Sequence, residues 1–335
     1  MNQFENIIGN EDVKEYFRKA LRNNTLAHSY IFEGPSGVGK KTLAIEIAKA
    51  ILCEGEGDKP CNSCKACTMI DSSTHPDLIT IEKENNLIKI DVVREKLVKE
   101  LSIKPYMSEH KIVIIDDADY ININGQNAIL KSIEEPPSYA TIILICENLA
   151  ALLHTIKSRC LNIRFNSINE QSMEEFIHKY NLPGSKQKIY TKLAEGSIGS
   201  LVNIVEDEEY LELRKNSIDY LERLYKGQIL ELYNVVQEVA EQKAYIDQIL
   251  KFWLLWFRDV MIVKTTDSKD LYFIDYINAV TDNANKFSYT KLSKVIEQIK
   301  QAIIDVKQNI NITFINFKIE NGILPRFIPS NPLLL

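Results

Sequence analysis

Residues 31–42 read IFEGPSGVGKKT. A short apolar start runs into a glycine-rich turn, then Lys40, then helix formers. Gly34, Gly37 and Gly39 permit backbone angles that a side chain would block. A loop of this kind turns several N–H groups inward as an anion nest, with a helix N-terminus behind it. Gly34-x4-Gly39-Lys40 is the spacing of a phosphate-binding P-loop, whose lysine reaches the outer phosphates. One position departs. The residue after the lysine is ordinarily Ser or Thr, whose hydroxyl holds Mg²⁺. Here it is Lys41, and Thr42 follows one place late. A lysine cannot bind a cation, so the loop reads as built to hold phosphate and poorly built to hydrolyse it.

Working outward, Gly39 to Leu52 is expected to be the P-loop helix, with Leu43, Ile47 and Ile51 facing inward. Upstream, Val13, Tyr16, Phe17, Ala20 and Leu21 share one face of a helix over 11–24. Downstream, Cys53, Cys61, Cys64 and Cys67 lie as C-x7-C-x2-C-x2-C. Four thiolates can close a tetrahedron around Zn²⁺, and Cys-x-x-Cys lets two sulfurs bind one ion from a tight turn. Two disulfides or four free thiols are the other readings. In a reducing compartment zinc is expected, as a structural knuckle with no open coordination position.

Residues 78–82 (LITIE) and 87–90 (LIKI) read as short strands, and 91–101 as a helix capped by Asp91. Lys111–Ile115 is a buried strand that ends in Asp116, Asp117 and Asp119. That is where a P-loop enzyme places the carboxylate that organises Mg²⁺. The next acid, which polarises the attacking water, is commonly Glu; here it is Asp117, one methylene shorter. A shift of about 1 Å can cost roughly a hundredfold in rate. A buried strand with a polar end is the bland alternative. Asn127–Glu134 reads as a helix stopped by Pro136 and Pro137. Thr141–Cys146 is another buried strand, and HTIKSRC (154–160) leads into a last strand, Leu161–Phe165. Arg159 at that edge is either a surface ion-pair residue or a finger reaching a neighbour's γ-phosphate.

From about 166 the pattern changes. Residues 170–205 read as short helices, and 207 to about 324 as helical with little strand signal. Trp253, Trp256 and Phe257 share a long amphipathic helix and read as core. The apolar end, RFIPSNPLLL, reads as a frayed tail. No internal repeat stands out. With 335 residues, two or three domains are expected. The chain is 45% hydrophobic and 26% charged, as in ordinary globular protein. A formal net charge of −6 argues against coating nucleic acid by bulk charge. The N-terminus lacks a signal-peptide pattern, and the most apolar stretch, Ile249–Val263, is too short and too charged to span a bilayer. A cytoplasmic protein with no membrane partner is expected.

The motifs in order are His28-Ser29-Tyr30, the GPSGVGK loop, the four cysteines, the strand with Asp116, AILKSIEEPP at 128–137 and Ser158-Arg159-Cys160. Together they resemble the AAA+ clamp-loader subunits of bacterial DNA polymerase III. AILKSIEEPP and the SRC triplet are specific to that family; a P-loop alone is not. The resemblance is strong over 1–205 and weak beyond. It implies an α/β AAA+ (RecA-like) P-loop domain over 1–165 with the zinc module at 53–67. A helical lid over 166–206 and an all-α collar over 207–335 complete it. The cofactor-binding positions it implies are Gly34, Gly37, Gly39, Lys40, Lys41, Thr42, Asp116 and Asp117.

Within the family the choice lies between the ATPase branch, tau/gamma, and the delta-prime branch. Lys41 replaces the magnesium hydroxyl, and Asp117 stands for the catalytic acid. Cys146 or Glu147 stands for the sensor-1 polar residue, and Gly199 for the sensor-2 arginine. Together these argue that hydrolysis has been lost, whereas Arg159 is intact in its motif. A subunit of that kind resembles delta-prime. It implies a stator in a hetero-pentameric loader with tau/gamma and delta, acting on a sliding clamp and on primer–template DNA. Arg159 would be its catalytic contribution, given in trans. The chain would belong to a DNA polymerase holoenzyme, a nucleotidyltransferase, without polymerase or ATPase activity of its own. Structural zinc and ATP or ADP held without hydrolysis are the implied cofactors. The other readings are an active tau/gamma-like ATPase, with Thr42 shifted to reach Mg²⁺, and a zinc-bearing DNA adaptor with a vestigial P-loop. The acidic balance speaks against the adaptor. A thiol oxidoreductase on the Cys-x-x-Cys pairs is weaker still.

Overall fold

The computed structural model describes residues 3–83, 87–207, 209–225, 234–235, 237–239, 241–242, 245–266 and 270–307. The chain divides into two compact units, residues 1–203 and 204–335.

The first unit is built on a five-stranded parallel sheet in the order β2-β3-β4-β1-β5. The strands are β1 (Ser29–Glu33), β2 (Leu78–Ile81), β3 (Lys111–Ile115), β4 (Ala140–Cys146) and β5 (Leu161–Arg164). Every residue of β3 and β4 is buried, as a parallel sheet covered on both faces requires. The period of two sends alternate residues to opposite faces. Ile112, Ile114, Ile143 and Ile145 join Tyr30 and Phe32 on one side. Val113, Ile115, Ile142 and Leu144 join Ile31 on the other.

Helix α1 (Glu11–Asn23) and helix α2 (Lys40–Leu52) cover the first face. Phe17 of α1 is fully buried, its ring 5.2 Å from Tyr30 and 5.5 Å from Phe32. Leu43 and Ile47 of α2 are buried with them, while Ile51 is half-buried at the margin. Helix α3 (Lys65–Asp71) follows the cysteine-rich loop. Helix α4 (Ile90–Val93) passes into a π-helical segment, Arg94–Lys99. Helices α5 (Ile123–Glu134) and α6 (His154–Lys157) pack on the second face through Ile129, Ile133 and Ile156. Helices α7 (Glu170–Ile177), α8 (Gly184–Leu193) and α9 (Ile198–Glu206) follow, and the boundary between the units falls within α9.

Three local expectations are corrected. Residues 87–90 do not form a strand: Ile88 makes an isolated bridge to Ile121, and Ile90 already begins α4. Alternation of apolar residues there serves to bury Ile88 in the second core cluster before the chain turns into a helix. Asp91 is not the cap. That position falls to Lys89, without a side-chain bond, and Asp91 lies in the first turn, where negative charge is still favourable. Helix α5 also starts earlier than residue 127, because Asn122 accepts the N–H of Gly125 at 2.8 Å and caps it.

The described residues of the second unit are mostly helical. They form α10 (Tyr210–Tyr225), α11 (Ile246–Thr265), α12 (Ile277–Lys286) and α13 (Tyr289–Lys307). Trp253, Trp256 and Phe257 of α11 are buried as expected for core, and Trp253 Nε1 donates to Ser217 O at 2.7 Å. Arg214 grips both oxygens of Asp275 at 2.7 Å and lies 4.3 Å above the Phe273 ring. The tail, residues 326–335, lies outside the described residues. Among the described residues no helix is long and apolar enough to cross a membrane.

Candidate nucleotide site and cysteine cluster

The glycine-rich turn between β1 and α2 opens onto a cavity of about 400 Å³. Gly37, Gly39, Lys40, Lys41, Thr42, Asp116 and Asp117 line it, so seven of the eight expected positions converge. Gly34, the eighth, sets the turn from behind. A Cβ there, at φ +154°, would come 2.4 Å from Phe165 O. Gly37 (φ +68°) is pressed against the start of α9: Gly199 N–H donates to Gly37 O at 2.9 Å. A Cβ on Gly37 would meet Ser197 Oγ at 2.3 Å, and one on Gly199 would meet Gly37 Cα at 2.9 Å. Position 199 is therefore a glycine because two backbones touch there.

Lys40 folds back on its own loop, donating to Gly34 O and Pro35 O at 2.6 Å each. It is buried, and burial pushes its pKa below the ordinary lysine value against the pull of Glu147 and other nearby acids. Lys41 turns the other way. Its Nζ stands 2.5 Å from Glu82 Oε1 and 3.1 Å from Asp116 Oδ2. Burial works against that ammonium, but the bonds to Glu82 and Asp116 outweigh it and hold its pKa above the ordinary value. Asp117, at φ +54°, pairs with Lys83 at 3.1 Å. Asp119 Oδ2 accepts the N–H groups of Glu147 (3.4 Å) and Asn148 (3.2 Å). Cys146 is buried at the end of β4, which pushes its thiol up to about 12, whereas Glu147 lines the cavity. A divalent cation does not fit this arrangement, since an ammonium already pairs with the carboxylate that would bind it.

The sequence reading missed the rest of the cavity wall. Asn6, Ile7 and Ile8 approach from before α1, and Phe176 and Ile198 from α7 and α9. Glu82 and Lys83, just after β2, were also missed as partners of the site's charged groups.

Arg159 is not among the residues that line the cavity. It follows α6, its Nε 2.9 Å from Glu134 Oε1 and its Nη1 donating to Thr155 O at 3.0 Å. Both partners of that ion pair are about 40% exposed.

Cys53, Cys61, Cys64 and Cys67 come together, their sulfur atoms all within 4.8 Å of one another. None is in a disulfide. Cys53 ends α2 and Cys64 caps α3, which carries Cys67. Backbone N–H groups point at the sulfurs: Gly55 and Cys61 to Cys53 at 3.4 and 3.3 Å, Cys64 to Cys61 at 3.3 Å, Cys67 to Cys64 at 3.4 Å. N–H groups of Ser63 and Cys64 pull the Cys61 thiol down to about 5. Zinc–sulfur bonds of about 2.3 Å place tetrahedral thiolates about 3.8 Å apart. Cys53 and Cys64 are 3.9 Å apart, so the donor set fits a metal ion.

Two family models match the chain. "DNA polymerase III, delta subunit" covers residues 9–169, and "DNA polymerase III, delta subunit, C terminal" covers 208–318. A Bacillus subtilis protein named DNA polymerase III subunit delta' is 25% identical over 90% of this chain and 92% of its own length. The B. subtilis subunit tau is 26% identical over 78% of this chain, which spans half of that longer relative. Among solved structures, a DNA polymerase III gamma subunit-related protein from Thermotoga maritima superposes with a TM-score of 0.51. It has 16% identity and covers 92% of this chain and 98% of its own; the likeness is one of fold.

Proposed function

The chain belongs to the clamp-loader subunit family of DNA polymerase III, and we propose that within it this protein is the delta-prime subunit, a stator that does not hydrolyse ATP. One observation carries the reading: the Lys41 ammonium pairs with Asp116 and Glu82 where a working P-loop enzyme holds its metal. Asp117 is tied to Lys83 as well, which supports loss of the water-polarising role. An ATPase would need both carboxylates at the metal and the water.

In this reading residues 1–165 are an AAA+ domain, 166–206 its lid and 207–335 a collar that joins it to tau/gamma and delta in a five-membered ring. Arg159 is the finger. It lies outside the lining of its own cavity and its side chain is 40% exposed, which suits a guanidinium offered to a neighbouring ATPase subunit. There it would neutralise charge developing on a γ-phosphate. Docking exchanges the Glu134 carboxylate for a phosphate, a like-for-like anionic partner. The four cysteines hold a structural zinc that ties the end of α2 to the start of α3. The P-loop keeps ATP or ADP without turning it over. The loader so built places a sliding clamp on primer–template DNA in the cytoplasm, as part of a polymerase holoenzyme.

The test is DNA- and clamp-stimulated ATP hydrolysis by a loader rebuilt from this protein, tau/gamma and delta. The protein alone should be silent, and Arg159→Ala should lower turnover of the assembly by orders of magnitude without preventing assembly. Turnover by the protein alone, abolished by Lys40→Ala, would instead establish an active tau/gamma-like ATPase.

A further inference from the structure

A lysine cannot ligate Mg²⁺, yet it can do one thing the metal does: place a positive charge between the carboxylates after β3 and an incoming phosphate. Lys41 Nζ lies within bonding distance of Asp116 and Glu82, and the same side chain lines the cavity beside Lys40. We propose that Lys41 is a built-in substitute for the divalent cation, so that this cavity takes a nucleoside di- or triphosphate free of metal. The inference rests on the reading that the site keeps nucleotide without hydrolysing it, and adds the form in which the nucleotide is bound.

Three features argue for it. The cavity has two chemically distinct walls. Ile7, Ile8, Phe176 and Ile198 offer an apolar wall for a base, and Lys40 and Lys41 at the start of α2 offer cations for phosphates. Its volume, about 400 Å³, lies within the range of small-ligand pockets. Secondly, three of the acids that would repel a metal-free phosphate already face an ammonium, and Glu147 on the cavity wall acts on Lys40. Asp116 and Glu82 face Lys41, and Asp117 faces Lys83. In an ordinary P-loop that neutralisation is the metal's task. Thirdly, Lys40 is held by two neutral carbonyl oxygens of its own loop. A phosphate oxygen is an anionic acceptor and forms the stronger bond, so the exchange is downhill for the lysine.

The test is calorimetric titration of the full chain with ADP and with ATP, once in excess EDTA and once in excess magnesium. The native protein should bind equally well in both buffers. Lys41→Thr, which places a hydroxyl at the usual metal position, should bind about tenfold or more weakly in EDTA and recover in magnesium. Lys41→Met, which keeps the aliphatic stem and loses the charge, should bind weakly in both. Native binding that requires magnesium would overturn the substitution and leave nucleotide retention standing. Binding by Lys41→Met equal to native in EDTA would overturn it too. No binding by the native chain in either buffer would overturn both, while leaving the stator reading, tested through Arg159 in the assembled loader, untouched.

Discussion

Removing the Asp77 carboxylate should loosen the edge of the sheet that carries Glu82 and Lys83 to the site. Asp77 is fully buried just before β2, and its backbone O accepts the N–H of Ile112 at 2.8 Å. Its side chain gathers a loop: Oδ1 accepts the N–H of Tyr106 (2.6 Å), and Oδ2 accepts the N–H groups of Met107 (2.8 Å) and Ser108 (3.0 Å) and the Ser108 hydroxyl (3.0 Å). Bonds to a charged acceptor contribute about 1.5–3 kcal/mol each, but Tyr106 and Met107 are 62% and 38% exposed, so water can reclaim part of their loss. We therefore expect about 3–5 kcal/mol for Asp77→Ala and about 2 kcal/mol for Asp77→Asn, whose amide turns an N–H toward donors. Acid should narrow the gap. Burial pushes the Asp77 carboxyl up, but the Tyr106, Met107 and Ser108 donors outweigh it and hold it below its ordinary 3.8. A depressed carboxylate gives its stabilisation above the unfolded pKa and loses it as pH falls through the folded one. The loss is about 1.4 kcal/mol per unit of depression. The assay is urea unfolding of the full chain followed by backbone circular dichroism. Both tryptophans lie in α11, so their fluorescence does not report on this unit. An Asn variant as stable as the native protein at neutral pH, or a gap that persists unchanged well below pH 3.8, would refute the reasoning.

Metal analysis of the purified chain should find zinc in proportion to protein, and Cys64→Ser should lose it and lower the melting temperature, since thiolate ligands tie α2 to α3. Gly199→Ala should destabilise the chain by about 1–3 kcal/mol in thermal melts although alanine is the better helix former, because the added Cβ lands 2.9 Å from Gly37 Cα. Arg214→Met should cost about 1–3 kcal/mol, measured by denaturant unfolding: it removes two 2.7 Å bonds, but Asp275 is 34% exposed and regains water.

What could be read in advance was local. The glycine spacing and Lys40 located the turn between β1 and α2, and the unbroken apolar runs of β3 and β4 announced a parallel sheet covered on both sides. The cysteine cluster was legible because all four ligands lie within one short loop and a helical turn. What escaped depends on contacts between distant segments. Glu82 meets Lys41 across 41 positions of sequence, and no periodicity links them. Phe176 and Ile198 look like any apolar helix residue until α7 and α9 are placed beside the loop. The LIKI run carried a genuine alternation, yet it serves one isoleucine entering the core rather than a strand. The start of α5 was hidden by Gly125, which discourages helix by propensity but sits in the first turn, where its N–H is taken by Asn122.

The acids after β3 and the arginine after α6 differ in how firmly they are held, and that difference bears on mechanism. Asp116 pairs with Lys41 and also accepts the N–H of Asp117. Asp117 is paired with Lys83 and sits in a left-handed conformation, and Asp119 accepts two backbone N–H groups from the loop after β4. Each carboxylate is thus engaged in holding strand ends and loops together, and recruiting any of them for hydrolysis would break an existing contact. Arg159 is engaged too, but by Glu134 in a pair about 40% exposed on both sides. Pairs of that kind are worth only about 0–1 kcal/mol. In the proposed stator role, a neighbour's phosphate in a water-poor subunit interface would outcompete such a partner. In the delta-prime role proposed above, these three carboxylates are therefore tied down, while Arg159 is held by an exposed pair that docking would exchange at little cost.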